Sequence, residues 1–315
     1  MTRRITMSLA CVFLAGMLGG CSKSDSPAAG DGSEGRLFGV TFQTRNNPFF
    51  VELNEGIKQV VEAHGDRLIT LDAQWNSLKQ KNDISDLLHK GASGVFINPV
   101  NWEGIKGSLL QAKEKSIPCV VVDAPVKDEN LVLCQVASDN VEAGRLAARA
   151  LAEVKPDAKV VILHLSVNKA CIDRVAGFKE EAAKHPEIKI LDVVEGKGTT
   201  EAARPVMRDL VGRFPDLTAA FPINDPSALG VISALESAGR LKDVTVVTVD
   251  GSAEGVAAIK AGKLHSTSAQ FPREMGRIAA QKVYEHLDGK PVDKNIKVKV
   301  ELITAENADA FLKGK

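Results

Sequence analysis

Aromatic side chains and net charge are the two things this sequence is short of. Phe, Tyr and Trp make up 4% of its 315 residues, and Lys plus Arg equals Asp plus Glu at 40 each. An even charge balance excludes a general nucleic-acid binder, which neutralises phosphates with excess base. No apolar run reaches about 18 residues, which excludes a polytopic membrane protein. His64, His89, His164, His185, His265 and His286 are scattered without metal-ligand spacing, and neither HExxH nor GxSxG occurs. No enzyme, metal or cofactor is therefore expected. Of five cysteines, Cys119, Cys134 and Cys171 show no CxxC or Cys/His spacing. Cys119 and Cys134 lie in apolar strand-like runs and read as small buried hydrophobes. A 119–134 disulfide is the alternative in an oxidising compartment.

What is present is enough to build a large core. Hydrophobic residues make up 44% of the chain, which excludes a disordered protein, and the length predicts two domains. The first 20 residues read as a leader. Arg3 and Arg4 precede a short apolar stretch, 5–17, and then Leu18-Gly19-Gly20-Cys21. That order resembles a bacterial lipoprotein signal, with Cys21 as the lipidated residue. An ordinary secretory leader with an incidental cysteine is the plain alternative. Residues 21–35 are Ser, Gly, Asp and Ala-rich, a flexible tether. The expectation is a globular domain anchored by lipid outside the cytoplasm, in the periplasm or on the outer face of the cell membrane.

From residue 37 onward, apolar strands alternate with amphipathic helices. Strands are expected at 37–43, 68–71, 94–98, 119–123, 159–165, 188–194, 219–223, 244–250 and 267–270, with a β-rich run at 296–303. Helices are expected between them, among others from Pro48 to the Gly65 stop and over 103–114, 141–154, 173–184 and 201–213. This is an α/β chain of two doubly wound, parallel-sheet domains, whose ligand sites lie outside the carboxyl ends of the strands.

Those strand ends share a chemistry. Gln43, Asn98, Asp123, Asn224, Asp250 and Gln270 close apolar runs, and Asn47, Phe49 and Phe50 follow the first strand. Amides and carboxylates without a nucleophile suit a polyhydroxy ligand, because each hydroxyl donates once and accepts twice. Individually, Asn46, Asn47, Asp225 and Asp250 read equally well as helix caps or turn residues, and the two phenylalanines as core. The loop Gly196-Lys197-Gly198-Thr199-Thr200 ends like a phosphate loop but has no earlier glycine at the required spacing, so it reads as a turn.

Nine segments carry a resemblance. They are Asn46-Asn47-Pro48-Phe49-Phe50, Ile97-Asn98-Pro99, Val122-Asp123, Ala137-Ser138-Asp139-Asn140, Arg174-Val175-Ala176-Gly177-Phe178, Asn224-Asp225, Ala228-Leu229-Gly230, Val249-Asp250-Gly251 and Ala269-Gln270. In this order the chain resembles the periplasmic-type sugar-binding proteins of ABC importers, in the ribose/galactose-binding family, and most of all the ribose-binding proteins. The resemblance spans about 37–303. It implies a type I periplasmic binding protein fold, with two lobes joined by a three-strand hinge crossing near Ser138, Gln270 and Val298. It also implies an N-lobe of 36–138 plus 271–298, a C-lobe of 139–270 plus 299–315, and a sugar or cyclic polyol in the cleft. Asn47, Phe49, Phe50, Asn98 and Asp123 would line one face, with Gln43 at the mouth. Arg174, Asn224, Asp250 and Gln270 would line the other. Arg174 would fork onto hydroxyls, the aspartates would accept from them, and the phenylalanines would sandwich the ring. The partner would be an ABC permease with its ATPase, and the protein a monomer. A lipoprotein that shows the sugar to a chemoreceptor or sensor kinase is the alternative. A regulator on the same core would carry a helix-turn-helix where the leader stands. Two departures bear on ribose: Asp123 is followed by Ala124-Pro125 where those relatives have an arginine, and the 195–200 loop has no aromatic.

Overall fold

A computed structural model describes residues 35–314. The expected leader, Cys21 and nearly all of the tether lie outside the described residues. Two six-stranded sheets organise the rest. The first contains β1 (Leu37–Phe42), β2 (Arg67–Asp72), β3 (Gly94–Ile97), β4 (Cys119–Val122) and β5 (Cys134–Ser138), with β11 (Asn295–Val298) at one edge. The second contains β6 (Lys159–His164), β7 (Lys189–Glu195), β8 (Ala219–Pro222), β9 (Thr245–Asp250) and β10 (Ser266–Ala269), with β12 (Glu301–Ile303) at its edge. All pairings are parallel except β10 with β12. Inner strands such as Cys119–Val122 are unbroken apolar runs because helices cover both faces, whereas β10 (Ser266–Ala269) buries hydroxyls that bond inward, Thr267 to Asp225 and Ser268 to the Ala143 carbonyl.

The strand orders are β11-β5-β4-β3-β1-β2 and β12-β10-β9-β8-β6-β7. Each reverses direction once, between β1 and β3 and between β6 and β8. Those two reversals are where the loops splay and leave a crevice for a ligand. The chain passes between the sheets three times: after Ser138, after Ala269, and between Val298 and Glu301. The β-rich run over 296–303 is therefore two strands on different sheets.

Caps set the helix starts. Asn47 accepts from the Phe49 N–H at the start of α1 (Pro48–Ala63), with Pro48 at the first turn where no N–H is needed. Two expected starts shift. The helix over 103–114 begins at Lys106 as α3 (Lys106–Glu114), because the Asn101 side chain accepts from Glu103 and Gly104 and holds them in a turn. The helix over 173–184 begins at Lys169 as α5 (Lys169–Ala182), because Asn168 caps it through the Cys171 N–H. Cys119 and Cys134 are free thiols, not a disulfide. Burial pushes both up to about 12, so they are protonated core residues.

One helix pair positions the site. α4 (Asn140–Val154) and α5 cross where Gly144 and Gly177 let the backbones touch. A Cβ on Gly144 would lie 2.0 Å from the Arg174 carbonyl oxygen, and one on Gly177 1.9 Å from that of Val141. Gly144→Ala is expected to push α5 outward and carry Arg174 with it. Overpacking of this kind costs about 1–3 kcal/mol. A thermal melt should show a drop of several degrees, and a melt identical to the parent would refute the contact.

Candidate functional site

Loops from the carboxyl ends of β1, β2, β4, β6, β7, β8, β9 and β10 line one cavity of 610 Å³. Gln43, Asn47, Phe49, Phe50, Asp123, Arg174, Asn224, Asp250 and Gln270 all line it. Asn98 does not. It is fully buried behind Asp123, to which it donates from Nδ2 at 3.0 Å, and its Oδ1 accepts from the Gln43 N–H at 3.1 Å. Asn98 therefore fixes the two groups in front of it.

Asp123 and Asp250 sit at matching places, one at the end of β4 and one at the end of β9. Both hold backbone angles that side chains rarely adopt, with φ of +66° and +138°. Such strain persists only where the surroundings fix it, and it collects at ligand sites. Asp250 is gripped from three sides. Gln270 donates to its Oδ1 at 2.7 Å, the Asp225 N–H donates to its Oδ2 at 3.3 Å, and Arg174 Nη1 lies 3.5 Å from Oδ1.

Arg174, on α5, is 4% exposed. Its Nε donates to Asn140 Oδ1 and its Nη1 to the Ile223 carbonyl, both at 2.9 Å. Two of its three nitrogens are thus held by the C-terminal lobe, which leaves Nη2 for a ligand. The fork expected from sequence is correspondingly reduced to one edge. Asn224 is also partly committed. It caps α7 (Asp225–Ser237) through the Ser227 N–H and donates to the Gly198 carbonyl at 3.0 Å.

Burial sets the electrostatics. It pushes Asp123 up to about 6. The nearby Asp250 adds to that rise, while Arg174 and the Asn98 hydrogen bond oppose it. Asp225 is pushed up to about 7, first by burial and then by Asp250. Its carboxylate is internal, accepting from the Ser252 N–H at 2.7 Å and from Thr267 Oγ1 at 2.8 Å.

Phe49 and Phe50 line the cavity but also belong to the core under α1. Their rings meet edge to face, 5.3 Å apart at 87°. Rings at right angles cannot clamp a ligand ring between parallel faces. The 196–200 loop is a turn whose Thr199 caps α6 (Thr200–Arg213) and whose Gly198 reaches the cavity.

Asn168 is the residue that strand-end reasoning passed over. It stands four residues beyond β6, too far from the strand for that rule, yet it lines the cavity. Its Nδ2 lies 3.4 Å from Gln43 Oε1 on the other lobe. The Trp102 N–H also donates to the Val167 carbonyl at 3.2 Å. The lobes meet across the mouth, so the cleft is held nearly shut.

Two lobes closing on a polar cavity define a protein that captures a small molecule. Residues 38–291 match the periplasmic binding protein domain family, and the chain belongs to it. It is 35% identical to a ribose import binding protein of Bacillus subtilis, over 84% of this chain and 86% of that one. A xylitol-binding protein of Mycolicibacterium smegmatis is 27% identical over 84% of this chain and 76% of its own. The periplasmic component of the arabinose ABC transporter of Shewanella sp. ANA-3, solved with L-arabinofuranose, superposes with a TM-score of 0.83. It is 28% identical, covering 88% of this chain and 95% of that one. The family consists of binding proteins of ABC transporters that work outside the cytoplasm, not of enzymes.

Proposed function

We propose that this chain is a lipid-anchored solute-binding protein that captures a monosaccharide or cyclic polyol and delivers it to an ABC permease. The observation that carries the reading is the set of buried hydrogen-bonding groups drawn from both lobes around one cavity. Asp123 comes from the first lobe, and Arg174, Asp250 and Gln270 from the second lobe and its hinge. A ring of hydroxyls satisfies both sets at once, so the ligand stabilises the closed arrangement over any open one. Asp123 and Asp250 accept from hydroxyls, Arg174 Nη2 and Asn47 donate or share, and Phe49 offers a flat apolar surface. The Asp123-Ala124 step and the 195–200 loop support a sugar other than ribose. Residues 1–20 are read as the leader, Cys21 as the lipidated residue and 21–35 as the tether. Lobes of 36–138 plus 271–298 and of 139–270 plus 299–315 would then close as a monomer.

A thermal-shift screen of the chain from about residue 36 tests this reading, with pentoses, hexoses, inositols, nucleosides and amino acids at millimolar concentration. A ligand at about 1,000 times its Kd adds roughly 4 kcal/mol, which should move the melt by several degrees. A shift confined to one sugar or polyol is expected. A shift with nucleosides or amino acids alone would overturn the ligand class.

A further inference from the structure

The chain holds two tryptophans, and they serve the cleft differently. Trp102 joins the lobes through its backbone, as described above, and does not line the cavity. Trp75 does line it, while 38% of its surface stays exposed. An amphipathic aromatic left part in water at the edge of a polar cavity can offer a ligand both a flat apolar face and an N–H donor.

Its backbone is strained as well. Gln74 and Trp75 both take left-handed angles, with φ of 54° and 59°. Bulky residues rarely do so. Four contacts hold the loop in place. The Ala73 N–H donates to the Phe42 carbonyl at 2.8 Å, the Trp75 N–H to the Gln43 carbonyl at 2.7 Å, and the Gln74 N–H to Asp72 at 2.8 Å. Asn76 then caps α2 (Ser77–His89). The Trp75 backbone is thereby fixed relative to Gln43, whose side chain reaches the other lobe. Strain maintained by several bonds beside a ligand cavity marks a position kept for function.

The cavity has two zones. Asp123, Arg174, Asp250 and Gln270 are each less than a tenth exposed and form its inner wall. Trp75, Asn46 and Glu201 are exposed and form its outer wall. A volume of 610 Å³ falls within the range of about 300–1,000 Å³ that encloses ligands of drug size, which is more room than one sugar ring fills.

We propose that the cleft has an outer subsite in which Trp75 stacks on a second ring. The ligand class then extends from the free monosaccharide to its glycosides, whose first ring occupies the inner polar set. This rests on the sugar-binding reading above. The C–H face of the second ring lies on the indole, and Asn46 and Glu201 offer hydrogen bonds to its hydroxyls.

Titration calorimetry on the full chain in detergent tests the proposal. The ligands are D-ribose, D-xylose and D-galactose, their phenyl β-glycosides, and disaccharides that end in each. The proteins are the parent, Trp75→Ala and Trp75→Phe. A two-ring ligand is expected to bind the parent about ten-fold tighter than its free sugar. Trp75→Ala should erase that ratio, and Trp75→Phe should keep most of it. In a Trp102→Phe background, the emission of Trp75 should shift with the two-ring ligand and not with the one-ring sugar. Free sugars that bind as tightly as their two-ring forms would overturn the subsite and leave the sugar-binding reading standing. So would a ratio that Trp75→Ala leaves unchanged. Failure of every sugar, of one ring or two, would overturn the sugar-binding reading and the subsite with it.

Discussion

Replacing Arg174 by Ala is expected to abolish sugar binding and to lower the melting temperature as well. A fork that met ligand hydroxyls alone could be lost without cost to the fold. Arg174 does more, because its guanidinium also holds Asn140 and the Ile223 carbonyl and lies 3.5 Å from Asp250. Removing it takes the facing cation from buried Asp250 and the donor from Asn140 Oδ1 and the Ile223 carbonyl. Breaking a buried pair in this way costs about 3–5 kcal/mol. Losing one partner of a desolvated charge network costs binding about 2–5 kcal/mol, a loss of at least thirty-fold. Arg174→Lys separates the two effects. It keeps a positive charge opposite Asp250 but cannot span Asn140, Ile223 and a ligand together. Its melt should fall less, while its affinity still drops steeply. Calorimetry and a thermal melt on both variants decide the matter. Unchanged affinity in both would remove Arg174 from the site.

The second large effect concerns Asp123. Its folded value of about 6 stands above the ordinary 3.8, because burial disfavours the charged form. The folded chain therefore binds this proton more tightly than the unfolded chain does. Between those two values the unfolded state carries fewer protons, so stability falls as pH rises. The cost is absent well below pH 4 and complete above about pH 7. For a shift of this size it is on the order of 3 kcal/mol. Asp123→Asn removes the charge and keeps an oxygen to accept from Asn98. The unliganded variant is expected to melt several degrees above the parent at pH 8, with the gain shrinking below pH 6 and nearly gone at pH 4. Comparing the variant with the parent at each pH cancels the other titrating groups. Ligand response should change in the opposite sense. Sugar hydroxyls donate best to the ionised carboxylate, so the parent should bind more weakly at pH 5 than at pH 8. The variant should bind weakly at both. A gain in melting temperature that does not depend on pH would remove the ionised Asp123 from this account.

The two effects come from one arrangement. The inner wall sets a single arginine against Asp123 and Asp250, with Asp225 just behind them. The alanine after Asp123 supplies no second cation. The inner wall thus carries more carboxylate than cation. A ligand rich in hydroxyls adds donors from between the lobes, which couples binding to closure.

Much of this was legible in the chain itself. Apolar runs of strand length between amphipathic helices point to two parallel α/β sheets, because strands buried on both faces are mostly apolar. Polar residues closing those runs, together with the family motifs, point to most of the cavity lining, because side chains beyond a strand's carboxyl end face the crevice. Asp123, Arg174, Asp250 and Gln270 all line it. What the sequence could not decide depended on contacts between distant segments. Asn98 and Asn168 carry the same amide, yet one lies behind the wall and the other lines it. Only the meeting of the lobes places Asn168 against Gln43, 125 positions away. Arg174 reads as a free fork until Asn140, 34 positions back, and Ile223, 49 positions on, occupy two of its nitrogens. The local pattern records which face of an element is buried. How many hydrogen bonds a side chain has left for a ligand is decided by which other segments fold against it.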